Sequence, residues 1–222
     1  MRKSLPILLA VLLTGATIGC KDPSKSVPAA EVQAPAVEAE GAAAAEAPVE
    51  EAETVTETIA LTPENTTIGF EGSKVTGSHV GGFKDFEGGL VISDKPHATT
   101  ASVTIQMNSI FSDDDKLTEH LQSDDFFSVA TYPTSTFNIT SINETANADG
   151  THQVNGVLTM RGVERPIAFP AKLSLTEDKV TASAEFSINR KDWGILYEGK
   201  KDDLIRDGVI LRLSIDADRV AQ

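Results

Sequence analysis

Alternation with a period of two dominates the second half of this chain and restricts it to half-buried β-strands. Over 180–189, Val180, Ala182, Ala184, Phe186 and Ile188 alternate with Thr181, Ser183, Glu185, Ser187 and Asn189. Over 209–218, Val209, Leu211, Leu213, Ile215 and Ala217 share one face, and Arg212, Ser214, Asp216 and Asp218 share the other. A helix would scatter each set around its circumference, whereas a pleated strand puts each set on one side.

The same period recurs upstream. Ile167, Phe169, Ala171, Leu173 and Leu175 form one face, in which Pro170 signals an edge or a bulge. Val154, Gly156, Leu158 and Met160 form another, and Phe137 with Ile139, 101–107, 86–92, and Ile68 with Phe70 complete about eight strands. Turn signals separate them at Ser93-Asp94-Lys95-Pro96, Asn147-Ala148-Asp149-Gly150, Arg161-Gly162 and Glu177-Asp178-Lys179. Connections this short favour antiparallel neighbours. The expected fold is all-β: eight antiparallel strands closed into a barrel, with a two-sheet sandwich as the alternative. One segment, 119–133, breaks the pattern with a histidine, three aromatics and a proline. Asp113, Asp114 and Asp115 can cap a helix start just before it, and Leu117, His120 and Leu121 fall on one helical face. A short helical crossover over one end of the sheet is the expectation.

The N-terminal quarter differs in kind. Arg2 and Lys3 precede an apolar run over 5–13, far short of the ~20 residues needed to span a bilayer. Small residues follow and lead to Cys20, the one cysteine of the 222 residues. Residues 1–19 read as an export signal. Ala16-Thr17-Ile18-Gly19-Cys20 resembles a bacterial lipobox, which implies lipidation of Cys20; an ordinary signal peptide with an incidental cysteine is the alternative. Residues 20–54 carry two bases against eight acids, four prolines and no aromatic residue, and read as a disordered tether reaching on the order of 30 Å. All nine phenylalanines, Trp193 and both tyrosines lie beyond residue 69, so one folded domain is expected over 55–222. The formal charge is −14, of which −10 falls on that domain, arguing against nucleic acid and against anionic headgroups as partners. The expected location is an exported, lipid-anchored one, on the periplasmic or outer face of a bacterial membrane.

Residues capable of chemistry form no recognised set. His79, His97, His120 and His152 make no HxH or HExxH pattern, there is no GxSxG elbow, and Asp124-Asp125 and Asp202-Asp203 are adjacent pairs whose side chains diverge. Neither a metal, nor a cofactor, nor a catalytic residue is expected.

Four motifs, in order, carry a resemblance. They are 73–83 (Ser-Lys-Val-Thr-Gly-Ser-His-Val-Gly-Gly-Phe) followed by Phe86-Glu87-Gly88; His120-Leu121 with 123–127 and 132–137; 156–163 (Gly-Val-Leu-Thr-Met-Arg-Gly-Val); and 189–195 (Asn-Arg-Lys-Asp-Trp-Gly-Ile). Together they resemble the YceI-like proteins, which more often carry Phe where Trp193 stands. The resemblance implies a lipocalin-like antiparallel barrel with an elongated apolar cavity that binds a polyisoprenoid, an isoprenoid quinone or a similar long-chain lipid. A polyprenyl tail needs a long apolar channel with few polar contacts. The candidate wall is Phe70, Phe83, Phe86 and Ile105 from the first half, Phe126, Phe127 and Phe137 around the crossover, and Leu158, Met160, Phe186 and Trp193 beyond it. His79 and Tyr132 are the candidate polar contacts for a ligand head. The expected function is a membrane-anchored binding protein acting in carriage, storage or sequestration. The alternatives are a module docking on a membrane redox or envelope complex, and a lipid-modifying enzyme dependent on His79 or His120.

Overall fold

The computed structural model of the protein describes residues 21–33, 55–93, 99–145 and 150–219. The export signal, Cys20, residues 34–54, His97 and the turn residues 94–96 and 147–149 lie outside the described residues. The strands, in chain order, are β1 (Glu31–Val32), β2 (Val55–Leu61), β3 (Thr66–Lys74), β4 (Gly77–Phe83), β5 (Phe86–Ser93), β6 (Thr100–Gln106) and β7 (Ile110–Ser112). After helix α1 (Asp115–Gln122) come β8 (Thr134–Glu144), β9 (His152–Met160), β10 (Val163–Leu175), β11 (Lys179–Asn189), β12 (Gly199–Lys200) and β13 (Asp203–Asp218). The all-β, antiparallel, lipocalin-like expectation holds, with one short helix in the crossover. The described strands outnumber the eight expected, because β2, β4 and three short strands were not read from the pattern.

The strands hydrogen-bond in the order β2-β5-β6-β8-β9-β10-β11-β13-β3-β4-β7, with β1 on β10 and β12 on β13. The two ends of this path are covalently joined. β4 runs into β5 across Lys84-Asp85, and β6 runs into β7 across Met107–Ser109, so β4–β7 and β5–β6 are two halves of one bent hairpin. That hairpin curls the sheet round on itself and hides most of its edges. The β9–β10 connection is a two-residue turn in which Arg161 (φ 52°) and Gly162 (φ 71°) both take the left-handed conformation, as a primed hairpin turn requires.

One gap interrupts the sheet, and it bears on the tether. β10 pairs with β9 over 163–171 but with β11 only over 172–175. Pro166 and Pro170 stand four residues apart on β10, so their missing N–H groups fall on the same side of the strand. That side faces the gap, since the Pro166 carbonyl accepts from Gln33 N there (2.9 Å). Pro170 thus marks not an edge of the sheet but a split within it.

Residues 28–33 fill the split. Glu31 and Val32 pair with Ala168 and Ile167 on one side. On the other, Ala30 N donates to Ser187 O and Ser187 N donates to Pro28 O, each at 2.8 Å. Ala30 and Val32 pack on the cluster of Val154, Leu158, Ile167, Phe169, Phe186 and Trp193. Just before them, Asp22 caps the 3-10 turn Pro23–Ser26 and ion-pairs with Arg206 at 3.8 Å, and Ser24 lies against Gly208. The structure therefore corrects the tether over 21–33. Low hydropathy hid a segment that is held mainly through its backbone.

Candidate functional site

The inward faces of the strands enclose an apolar cavity of about 680 Å³. This is within the few-hundred to one-thousand Å³ range of small-molecule sites. Its middle is an aromatic wall set by strand parity. Phe186 on β11 stacks on Phe169 on β10 with centroids 4.0 Å apart and planes 10° apart, and Phe169 meets Phe137 on β8 at 5.8 Å. Phe137 reaches this position because Gly156 faces it, where a β-carbon would lie 2.6 Å from the ring. Ile105, Leu158 and Met160 continue the wall. Leu211, Leu213 and Ile215 of β13 stand among the other lining residues.

One end of the cavity is closed by the crossover. α1 is capped by Asp114, whose Oδ1 accepts from Leu117 N at 2.9 Å. Its Leu117 and Leu121 line the cavity with Phe126, Phe127, Ile195 and Ile205. Beyond the helix, a run of backbone bonds ties the segment down: Phe126 N and Ser128 N donate to Ser123 O, Phe127 N to Leu121 O, and Val129 N to Gln122 O. Ser128 sits at φ 47°, an unfavourable conformation for a non-glycine residue, with its hydroxyl donating to Asp124 Oδ1 at 2.6 Å. The Arg161 guanidinium donates to the Phe126 carbonyl and joins the β9–β10 turn to the crossover.

The 3-10 turn Arg190–Trp193 supports the same end. Arg190 is 3 % exposed; its guanidinium donates to the carbonyls of Ile195 (2.6 Å) and Arg206 (3.1 Å), with Asp207 at 3.4 Å. Burial lowers its pKa from the ordinary arginine value, and the carboxylates of Asp207 and Glu198 oppose that shift. Trp193 is fully buried and its indole N–H donates to Leu158 O at 3.1 Å. The turn ends at Gly194, with φ 73°.

Of the thirteen candidate ligand contacts, ten line the cavity: Phe70, His79, Phe83, Ile105, Phe126, Phe127, Phe137, Leu158, Met160 and Phe186. Three stand elsewhere. Phe86 is buried in the cluster with Ile105 and Met107, Trp193 sits behind the wall, and Tyr132 lies over Gly162. Phe169, Arg190 and Ile195 also line the cavity and were not singled out. The parity of Phe169 with Ile167 and Ala171 was the signal available for it.

The two histidines of interest both have acidic partners. His79 Nδ1 lies 2.9 Å from Asp113 Oδ1, which holds the Asp113 carboxyl below its ordinary pKa. His120 Nε2 lies 2.9 Å from Asp125 Oδ2, and its ring meets Phe126 and Tyr197 edge-on at 4.9 Å. His79 lines the cavity; His120 packs behind Phe126. Among the described residues, no three His, Cys, Asp or Glu side chains gather as a metal site would need.

With this geometry in place, the profile of the YceI-like domain matches residues 60–217. The chain belongs to the YceI-like family. Protein YceI of Salmonella arizonae and of Salmonella newport are each 34 % identical to it over 122 residues. Each alignment covers 52 % of this chain and 62 % of the relative, so the match spans just under two thirds of those relatives. Three solved structures share the fold. BcnA of Burkholderia cenocepacia superposes with a TM-score of 0.61 at 21 % identity, covering 68 % of this chain and 96 % of that one. A polyisoprenoid binding domain from Saccharophagus degradans, implicated in plant cell wall breakdown, gives 0.56 at 17 %, covering 73 % and 98 %. The Campylobacter jejuni YceI protein gives 0.51 at 23 %, covering 63 % and 84 %. The YceI-like motifs now have physical roles. The second and third meet where Arg161 holds Phe126, and the fourth supplies Arg190 and Trp193.

Proposed function

We propose that this YceI-like protein is a membrane-anchored, extracytoplasmic binding protein for a long apolar lipid of the polyisoprenoid or isoprenoid-quinone class. The observation that carries this reading is the cavity. Its lining is overwhelmingly aliphatic and aromatic, and the stacked Phe169 and Phe186 rings, with Phe137 tilted against them, offer an apolar wall to a tail that can make few hydrogen bonds. The Saccharophagus degradans domain of the same fold, described as polyisoprenoid binding, supports the ligand class. The basic Arg2-Lys3, the apolar run over 5–13 and the lipobox-like 16–20 support export and anchoring through Cys20. The role is binding, in carriage, storage or sequestration, and invokes no catalytic group.

Native mass spectrometry of protein purified with its endogenous lipids tests the ligand. A bound hydrophobic molecule of isoprenoid mass is expected. Protein that emerges empty and takes up no added polyprenol overturns the reading. Cys20→Ser tests the anchor: release from membranes or blocked processing is expected, and a processed variant still tightly membrane-bound overturns lipidation as the attachment.

A further inference from the structure

The strap formed by 21–33 has a consequence for orientation. Cys20 is joined to Lys21 directly, and Asp22 is already paired with Arg206 on β13. Consecutive Cα atoms lie 3.8 Å apart, so an acyl-bearing Cys20 is within two residues of the barrel surface. The acidic stretch over 34–54 connects the strap to β2 and is not interposed between anchor and barrel. Whatever holds Cys20 also holds the barrel, close and by one end.

That end is identifiable. β11 runs the length of the wall, from Lys179 beside Leu175 to Asn189 beside the Arg190–Trp193 turn, and eleven residues span roughly 35 Å. Arg206 belongs to the Arg190 end, since its carbonyl accepts from Arg190. The same end exposes large apolar side chains: Leu196 at 63 %, Leu204 at 47 % and Val75 at 46 %. Val75 N donates to Leu204 O, and both residues border the surface hollow that contains Asp22. These apolar residues rim the crossover end of the cavity, where Ile195 and Ile205 form its wall. Leu175, 54 % exposed, is the large apolar side chain exposed at the opposite end among the described residues; Val80 and Phe111 lie on β4 and β7, with the Lys84 ammonium 5.0 Å over the Phe111 ring.

Resting on lipidation of Cys20 as the attachment, we infer that Val75, Leu196 and Leu204 form a membrane-contacting rim, so that the strap seats the barrel end-on with its crossover end against the bilayer. The partner is the acyl-chain region just below the headgroups. A net charge of −10 on the domain makes headgroup attraction an unsuitable driving force, whereas a covalent anchor plus three exposed apolar side chains requires none. Exposed apolar residues clustered at the attachment point are what such a contact needs. The arrangement places the cavity end lined by Leu117, Phe126 and Ile195 next to the lipid reservoir, a short path for a water-insoluble ligand.

Brominated-lipid quenching of tryptophan tests the seating. The chain used begins at Cys20, the residue that removal of the export signal over 1–19 leaves first. Its Cys20 thiol is coupled to a maleimide lipid in phosphatidylcholine vesicles with or without dibrominated phosphatidylcholine, which fixes attachment whether or not the cell acylates it. The buried Trp193 supplies the background. Leu196→Trp is expected to lose at least half of its added emission in brominated vesicles, and Leu175→Trp none beyond background. Twenty flexible Gly/Ser residues inserted between Cys20 and Lys21 should at least halve the Leu196→Trp quenching. Equal quenching of both tryptophans, greater quenching at 175, no quenching at 196, or indifference to the insertion overturns the seating. Failure of native lipidation is read separately from Cys20→Ser.

Discussion

At the crossover end, polar groups are brought inside and tied together: Arg190 to two carbonyls, Trp193 to Leu158, and Arg161 to the carbonyl of Phe126. Halfway along the barrel the wall is made of rings and aliphatic side chains that face open space. Both regions are buried and both border the cavity, yet only the first is cross-tied by buried polar side chains. Burial in the first region pays for order, because the Arg190, Trp193 and Arg161 donors each have a specific acceptor. In the second, burial leaves room, and filling that room has to come from outside. Stability and binding are thus assigned to different side chains of one continuous core.

The largest effect expected at the packed end is that of Trp193→Ala. It removes a fully buried indole and its bond to Leu158 O, and should cost about 3–5 kcal/mol in urea denaturation, as large-to-small aromatic truncations do. Cavity filling separates the two regions more directly. Ala184→Phe points an added ring into the cavity and should cut polyprenol capture at least tenfold while changing stability by less than about 1 kcal/mol. Ile110→Phe, buried beside Leu121 and Phe126 but outside the cavity lining, should instead cost about 1–3 kcal/mol by overpacking and retain capture. An inverted result would dissolve the distinction. Arg161→Ala comes next, at about 1–2 kcal/mol, because the Phe126 carbonyl loses a charged donor. Hydrogen exchange over 123–129 should quicken in that variant.

The smallest expected effect is electrostatic. The His79 ring and the Lys74 ammonium hold Asp113 and Asp203 below their ordinary carboxyl pKa. A lowered carboxyl pKa adds stability above the ordinary value of 3.8, and that contribution fades as the pH falls below it toward the folded-state value. The Asp113 carboxylate is exposed and that of Asp203 is half-buried. Thermal unfolding followed from pH 7 downward should show Asp113→Asn slightly less stable than the wild type at pH 7, with the difference closing as the pH falls below 3.8.

What the sequence made legible follows the same division. β11 and β13 were readable because apolar and polar residues alternate over most of the paired stretch, the buried Ile210 between Val209 and Leu211 being the exception on β13. β4 was not, because Gly77, Gly81 and Gly82 carry no side chain to show a period; a β-carbon at Gly81 would lie 2.4 Å from the Phe70 ring. Ring chemistry alone put Trp193, Phe86 and Phe137 in one class. The indole bond of Trp193 to a neighbouring strand and the tilted contact of Phe137 with Phe169 separate them, and neither is written in hydropathy. The strap was the least legible element. Its recognition depends on two prolines in another strand, more than a hundred residues away.

That separation also governs the order of assembly. Val32 meets Ile167, about 135 residues further along the chain, and Pro28 meets Ser187, about 160 further along. A chain delivered N-terminus first presents the strap long before β10 and β11 exist to receive it. Loop-closure entropy disfavours such distant pairings until nearer ones have formed, so the β9–β10 and β10–β11 hairpins precede the strap. The seam between β10 and β11 is therefore the last part of the wall to be sewn, and its sheet edges stay unpaired longest during folding.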